Sequence, residues 1–258
     1  MVVYLTDKLG AEAFSAEDER LVLTLAAQAK VVNFTHLLDQ RYKDRLDADA
    51  NKFLRFIVDG ATRMQQLIQD LLTYSRLSRQ TEACVPVNCE AVLESALGNL
   101  QTAIEESGAV VTHTPLPTVM AQGRQLLQLF QNLLSNAIKF HGRQPPRVHV
   151  SAERLAPTPA TSSAPAAAVW VFAVRDSGIG FDMQYADRTF RIFQRLYGRG
   201  VYPGTGVGLA ICKKIVEYHR ERIWAESQPG MSATFYFTIS EHGVRYDASP
   251  SSSITPER

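Results

Sequence analysis

Apolar positions recur three and four residues apart through the first third of the chain, and that spacing predicts two long amphipathic helices. The first stripe runs through Leu21, Leu25, Gln28 or Ala29, Val32, Phe34, Leu37, Leu38, Tyr42 and Leu46. Ser15 and Asp18 have the form of a capping box at its start, and an alternating run through Val3, Tyr4, Leu5 and Thr6, turned at Gly10, predicts a short strand ahead of it. A break falls near Asp47. Asp47 and Asp49 then place carboxylates where a helix start favours negative charge, and a second stripe runs through Phe53, Ile57, Gly60 or Ala61, Met64, Leu67, Ile68 and Leu71 to about Ser78. This is a helical hairpin. A lone pair of such helices cannot bury both stripes. Either two chains join their hairpins in a four-helix bundle, or the hairpin packs on the rest of its own chain.

After Pro86 the period changes. Helices are predicted over 88–106, 123–140 and 206–219, and strands over 109–113, 147–155, 169–175, 222–227 and 234–240. The whole is α+β, with the helical hairpin in front of a mixed α/β layer. Residues 156–168 are only Ala, Pro, Ser and Thr, which cannot build a core, so a flexible hairpin excursion is expected there. A Ser-rich tail from 241 to 258 is expected to be disordered.

Composition changes this picture little. The 258 residues carry 27 Lys+Arg against 26 Asp+Glu, with 45% hydrophobic and 21% charged residues, which is ordinary globular usage for one or two domains. A formal charge of +1 argues against a protein that holds nucleic acid or an anionic membrane by bulk charge. Cys84, Cys89 and Cys212 are too few and too oddly spaced for a disulfide framework or a zinc site and read as small buried hydrophobes. With no basic-then-apolar leader and no apolar run long enough to span a bilayer, a cytoplasmic protein is expected.

Three elements carry candidate chemistry. On the helix around residue 130, Gln128, Asn132, Asn136 and Lys139 fall within a sector roughly 80° wide, opposite Leu126, Leu129, Phe130, Leu133 and Ile138. Carboxamide oxygens suit a hard cation and an ammonium suits phosphate, although a polar stripe is also what a solvated helix face looks like. Asp176, Gly178 and Gly180 follow an apolar strand, which offers a carboxylate to an exocyclic amine and bare backbone to a flat ring; Asp-x-Gly-x-Gly is also an ordinary turn. Gly204, Gly206 and Gly208 open a helix, where backbone N–H groups can take phosphate, but without the spacing of a dinucleotide fingerprint or the ending of a P-loop. Between the last two, Arg188, Arg191, Arg195 and Arg199 alternate with Phe190, Phe193, Leu196 and Tyr197 as a basic lid or as a surface helix with an apolar underside.

In this order the three elements resemble the ATP-binding catalytic domain of sensor histidine kinases. NLLSNAIKF from Asn132 is similar to that family's N box, DSGIG from Asp176 to its G1 box, FRIFQRLYGR from Phe190 to its F box and ATP lid, and GTGVGLAICKKIVEYH from Gly204 to its G2 box. NFTHLLDQRYKDRLDADANKFLRFIVDGATRMQQLIQDLLTYSR resembles the dimerisation hairpin of phytochrome-type kinases. The resemblance implies an α/β sandwich of the kinase, gyrase and chaperone type, a dimer, and Mg²⁺ and ATP as cofactors. It implies that Asn136 holds Mg²⁺ beside Asn132, that Asn132 and Lys139 serve phosphoryl transfer with Lys139 near phosphate, and that Phe140 lies at the base of the site. Asp176 would bind the adenine amino group in a pocket shaped by Gly178 and Gly180. Phe193 and Arg195 would lie in the lid, and Gly204, Thr205, Gly206, Gly208 and Leu209 would wrap the phosphates. The implied organisation is 1–29 as the end of a GAF sensory domain with its exit helix, 30–80 as the dimerisation hairpin, 81–240 as the catalytic domain and 241–258 as the tail. A response regulator is the implied partner.

The sequence departs from the family in one consequential place. The family's phosphoacceptor segment, Ser-His-Asp-Leu-x-x-Pro-Leu, is absent before Asn33, and ungapped counting puts Val22 and Leu23 where the histidine and its acidic neighbour belong. GAF-like sequence, of which only the last 28 or so residues are present, runs straight into the hairpin. Neither residue can accept phosphate. His36, about four turns on at 3.6 residues per turn, reads as a helix residue of the hairpin. Two expectations follow: phosphoryl transfer from Mg·ATP to a histidine on another chain, or a non-catalytic regulator that forms mixed dimers with intact kinases. A gyrase- or chaperone-type ATPase lacks support, because the hairpin is kinase-like and no transducer domain is present. Arg220 and Glu221 also stand where the family has glycines, and Ser232 replaces another, so strain is expected wherever φ must be positive.

Overall fold

The computed structural model describes residues 33–35, 37–38, 40–42, 45–77, 83–155, 168–196, 202 and 204–241. The expectations for the initial strand, the GAF-like segment, Val22, Leu23, His36, the 156–167 excursion, Arg199 and the tail from 242 lie outside these residues. The chain forms two units, 1–72 and 73–258.

In the first unit the described residues between 33 and 42 are helical. After the break, helix α1 runs Ala48–Leu77. Asp47 starts it: its carboxylate accepts from the Ala50 amide at 2.7 Å and its carbonyl from that of Asn51 at 3.0 Å, which satisfies donors that a helix start leaves unpaired. Leu54 and Ala61, two turns apart, are buried. Phe34, Leu37, Leu38, Phe53, Phe56, Ile57 and Met64 are exposed, Phe34 and Phe53 by 64% each. The second predicted stripe lies on α1, the part of the first before Asn33 lies outside the described residues, and much of the described apolar surface stands uncovered in one chain.

The second unit begins with β1 (Val85–Asn88), whose last residue caps α2 (Cys89–Asn99) through bonds from the Glu90 and Ala91 amides to the Asn88 side chain. The single helix expected over 88–106 is two: the backbone leaves helical geometry at Leu100 and resumes as α3 (Gln101–Ser107), which left-handed Gly108 ends. Strands β2 (Val110–His113) and β3 (Thr118–Ala121) lead to α4 (Gly123–Lys139). Then come β4 (Arg147–Leu155), β5 (Val169–Asp176), a 3₁₀ turn at Met183–Tyr185, α5 (Ala186–Thr189), α6 (Gly208–Tyr218), β6 (Ile223–Gln228) and β7 (Ser232–Ser240). The arginine-aromatic segment is thus no surface helix. Among its described residues only 188–189 are helical, and 190–196 run through turns and bends.

Five strands form one sheet in the order β2-β4-β5-β7-β6, with β2 parallel to β4 and every other pair antiparallel. β1 and β3, which alternation did not predict, make a separate antiparallel pair of four residues each. One face of the sheet is apolar. On it Phe172 and Phe237 stack at 4.8 Å with parallel planes, and Phe130 of α4 meets both edge-on at 6.1 and 5.7 Å. All three are fully buried, and ring pairs of this kind add about 0.5–1.5 kcal/mol beyond area burial. Cys89 and Cys212 are buried as expected, while Cys84 is only half-buried.

Arg220 has φ of 59°, so one of the three glycine replacements does carry left-handed strain; Glu221 and Ser232 do not. Next to Arg220, His219 is buried where α6 ends. Its Nδ1–H donates to the Ile215 carbonyl at 2.8 Å, and its Nε2 accepts from the Gln122 amide at 3.2 Å. That pattern demands a neutral ring, and burial lowers the pKa of His219 against the smaller raising pull of Ile215. A lowered histidine contributes stability in full above the ordinary value of about 6.5 and loses it as pH falls toward the folded value. The melting temperature is expected to drop between about pH 7 and pH 5.5, and to drop less in His219→Gln, which starts lower; thermal melts across that range check it.

Candidate functional site

The packing of Phe130 on the sheet sets the rotation of α4, and with it the direction of the polar stripe. Gln128, Asn132, Asn136 and Lys139 emerge on the side that faces α6 and the loop before it. The Asn132 Nδ2 donates to the Gly208 carbonyl at 3.2 Å, and its Oδ1 accepts from Gln128 at 3.1 Å. Lys139 Nζ donates to Asn136 Oδ1 at 3.3 Å and lies 4.3 Å over the ring of Phe140. Gly204, with φ of 142°, runs so close that a Cβ there would stand 3.1 Å from Nζ. The two carboxamides therefore differ. Asn132 ties α4 to the start of α6, whereas Asn136 presents an oxygen beside an ammonium.

At the end of β5 the Asp176 carboxyl is buried, and one oxygen, Oδ1, accepts from the Gly178 amide at 2.8 Å and from the Ala233 amide at 3.2 Å. Burial raises its pKa, and those two bonds pull it back down. Oδ2 is left for another donor. The glycines of this turn are required by sterics. A side chain on Gly178 would strike the Phe140 carbonyl, and one on Gly180, at φ of 56°, would strike the Gln228 carbonyl. The Phe140 carbonyl also accepts from the Ile179 amide at 3.0 Å, so the end of α4 is fastened to the Asp176 turn.

The third element closes the arrangement. Gly206, at φ of 76°, accepts through its carbonyl from the Phe193 amide at 3.0 Å, and a Cβ on it would crowd the Gln194 carbonyl at 2.9 Å and Arg195 at 3.2 Å. Phe193 is itself left-handed, at φ of 62°, and 56% exposed, an uncommon state for an aromatic residue. Thr205 and Leu209 lie half-buried in the same loop and first turn of α6. Burial first, and the Arg195 charge second, push Lys139 down to about 8.

Asn136, Lys139, Phe140, the Asp176 turn and Gly204 thus meet at the C-terminal end of α4, Gln128, Asn132 and Gly208 meet midway along it, and Tyr197 and Arg199 lie outside the described residues. Sequence reasoning missed Tyr202, whose ring lies 5.1 Å from that of Phe140, and the role of the Phe140 carbonyl. A tyrosine two positions before the glycine loop was the available signal.

The donor set suits magnesium brought in with a nucleotide. Among the described residues no three His, Cys, Asp or Glu gather into a metal cage, while Asn136 Oδ1 is a lone hard oxygen beside a phosphate-type cation. Magnesium commonly binds through one or two protein oxygens together with substrate phosphates and water.

Residues 121–243 match the family described as histidine kinase-, DNA gyrase B- and HSP90-like ATPase. Cyanobacterial phytochrome A of Nostoc sp. strain PCC 7120 is 54% identical over 214 residues, which cover 83% of this chain and 26% of that protein. Residues 121–243 form a domain of that ATPase family. The fold of the chain agrees with that of full-length ShkA in complex with AMPPNP, at a TM-score of 0.63 and 21% identity, covering 88% of this chain and 47% of that one. It agrees also with the histidine kinase ThkA, solved in complex with the response regulator TrrA, at 0.57 and 18% over 87% of this chain and 61% of that one. At these identities the two structures bear on fold alone. The chain spans about a quarter of the length of the phytochrome it matches. Among the described residues no helix is long and apolar enough to cross a membrane.

A lysine held near 8 loses its charge within reach of ordinary buffers. ATP affinity is expected to weaken as pH rises through about 8, because the deprotonated amine no longer attracts phosphate, and Lys139→Arg, charged throughout, should flatten the profile. Nucleotide titrations at several pH values check it.

Proposed function

We propose that this chain is the kinase part of a two-component system, moving the γ-phosphoryl group of Mg·ATP to a histidine on another polypeptide. The observation that carries the reading is the convergence of the α4 stripe, the Asp176 turn and the glycine loop on one end of α4, within a family of ATP-binding domains. Asp176 Oδ2 receives the adenine amino group, and Gly178 and Gly180 leave room for the ring. Asn136 holds the magnesium, Asn132 braces α4 against α6, and Lys139 and Arg195 face the phosphates. Gly204, Thr205, Gly206, Gly208 and Leu209 present backbone to the phosphate chain, and Phe193 and Phe140 bound the site. A magnesium ion held there would neutralise phosphate charge. The remaining work is positioning and charge stabilisation, which dominates phosphoryl transfer because its loose transition state needs little covalent help.

The acceptor is assigned to another chain because Val22 and Leu23 stand where a histidine and an acid belong. The hairpin, about 30–80, joins a second copy in a cytoplasmic dimer, which would cover Phe34, Leu37, Phe53, Ile57 and Met64. A response regulator then takes the phosphoryl group. The same exposed face beside a missing acceptor favours one second reading, a regulator that forms mixed dimers with intact kinases and dampens them.

Incubation with γ-labelled ATP and Mg²⁺, alone and with a catalytically dead but histidine-bearing relative, tests the proposal. Base-stable, acid-labile label on the relative supports it. ATP binding without label on any supplied chain, together with co-purification of the relative, supports the regulator. Asp176→Asn is expected to weaken ATP binding by about 10–100-fold, since an amide N–H₂ then meets the adenine amino group, while the melting temperature holds because Oδ1 keeps its two bonds; calorimetric titration with melts checks both.

A further inference from the structure

Two cationic side chains lie against the glycine loop beside the end of α4: a Cβ on Gly204 would stand 3.1 Å from Lys139 Nζ, and one on Gly206 3.2 Å from Arg195 Cγ. Lys139 and Arg195 come from separate elements, and burial first and the Arg195 charge second lower the pKa of Lys139. Unassisted, such a pair drifts apart into water until an anion arrives, and the anion then bears the cost of gathering it.

Tyr202 touches both sides of this pair. Its hydroxyl donates to the His141 carbonyl at 3.0 Å, just beyond α4. Its ring packs at 5.1 Å and 56° on Phe140, the ring over which the Lys139 ammonium lies at 4.3 Å. Its own carbonyl accepts from Arg195 Nη2. The contacts run in series from Arg195 through Tyr202 and Phe140 to Lys139, and the Phe140 carbonyl anchors the series to the Asp176 turn through Ile179.

We propose that Tyr202 is a positioning residue for polyphosphate: acting through Phe140 and Arg195, it holds two like charges together before the nucleotide binds. Tyr202 itself touches no reacting atom in this scheme. The inference rests on the nucleotide reading above and adds a specific signature to it. Gathering cations in advance favours ATP over adenosine, which carries no phosphate, whereas a general loosening of the site weakens both alike.

The experiment measures ATP and adenosine affinities of the full chain, by displacement of a fluorescent ATP analogue, for wild type, Tyr202→Phe and Tyr202→Ala, with melts in the absence of nucleotide. Loss of the hydroxyl bond in Tyr202→Phe is expected to weaken ATP binding about threefold to tenfold. Loss of the ring contact as well, in Tyr202→Ala, takes this to about tenfold or more, with adenosine affinity changed less than about twofold in both. Tyr202→Phe keeps the ring and carries the test if Tyr202→Ala melts early. Unchanged ATP affinity in both variants overturns the inference, and so does an equal loss for ATP and adenosine. Failure of the wild type to bind ATP overturns the nucleotide reading and this inference with it.

Discussion

The rotation of α4 about its own axis is the constraint on which the rest of this site depends. A helix of 17 residues with one apolar and one polar side can lie on a sheet in only one azimuth, and the edge-on contact of Phe130 with the stacked Phe172–Phe237 pair selects it. Turned by one residue, about 100°, the helix would carry Asn132 and Asn136 away from α6 and bury Lys139 unpaired. The apolar side is therefore part of the site although it touches none of it. Backbone fastenings complete the arrangement: Asn132 to Gly208, Phe140 to Ile179, and Asp176 to Ala233.

The electrostatics follow from burial more than from net charge, which is nearly zero. Asp176 is raised and Lys139 lowered for the same reason, a shortage of water around the charged form. Each is then partly compensated or worsened by a neighbour: amide donors on the carboxyl, a guanidinium beside the amine. A ligand with a hydrogen-bond donor at one end and a polyanion at the other relieves both penalties at once.

Much of this was legible in the sequence because it depends on period and on residue type. The stripe on α4, the bounds of β4, β5, β7 and α6 to within two residues, and the break at Asp47 all follow from spacing and capping chemistry. What escaped depends on contacts distant along the chain. β1 and β3 pair over only four residues, too few to show alternation. The interruption at Leu100 follows Gly98 and Asn99, two weak helix formers inside an otherwise helical period, which mark the place without requiring a break. The lid segment reads as amphipathic, yet its backbone is governed by Gly206, whose carbonyl receives the Phe193 amide. Tyr202 could not be placed from its neighbours in sequence, since its partners lie about sixty positions upstream, at Phe140 and His141.

The left-handed arginine at the end of α6 has a consequence for how this lineage can change. Backbone handedness favours glycine at such a position, and a side chain there costs about 1–2 kcal/mol. The chain carries that penalty far from the nucleotide end, with Glu221 held beside it by the Thr238 hydroxyl. Glycine at position 220 would relieve that cost, whereas any side chain at 178 would strike the Phe140 carbonyl and any at 180 the Gln228 carbonyl, so the two corners tolerate opposite changes.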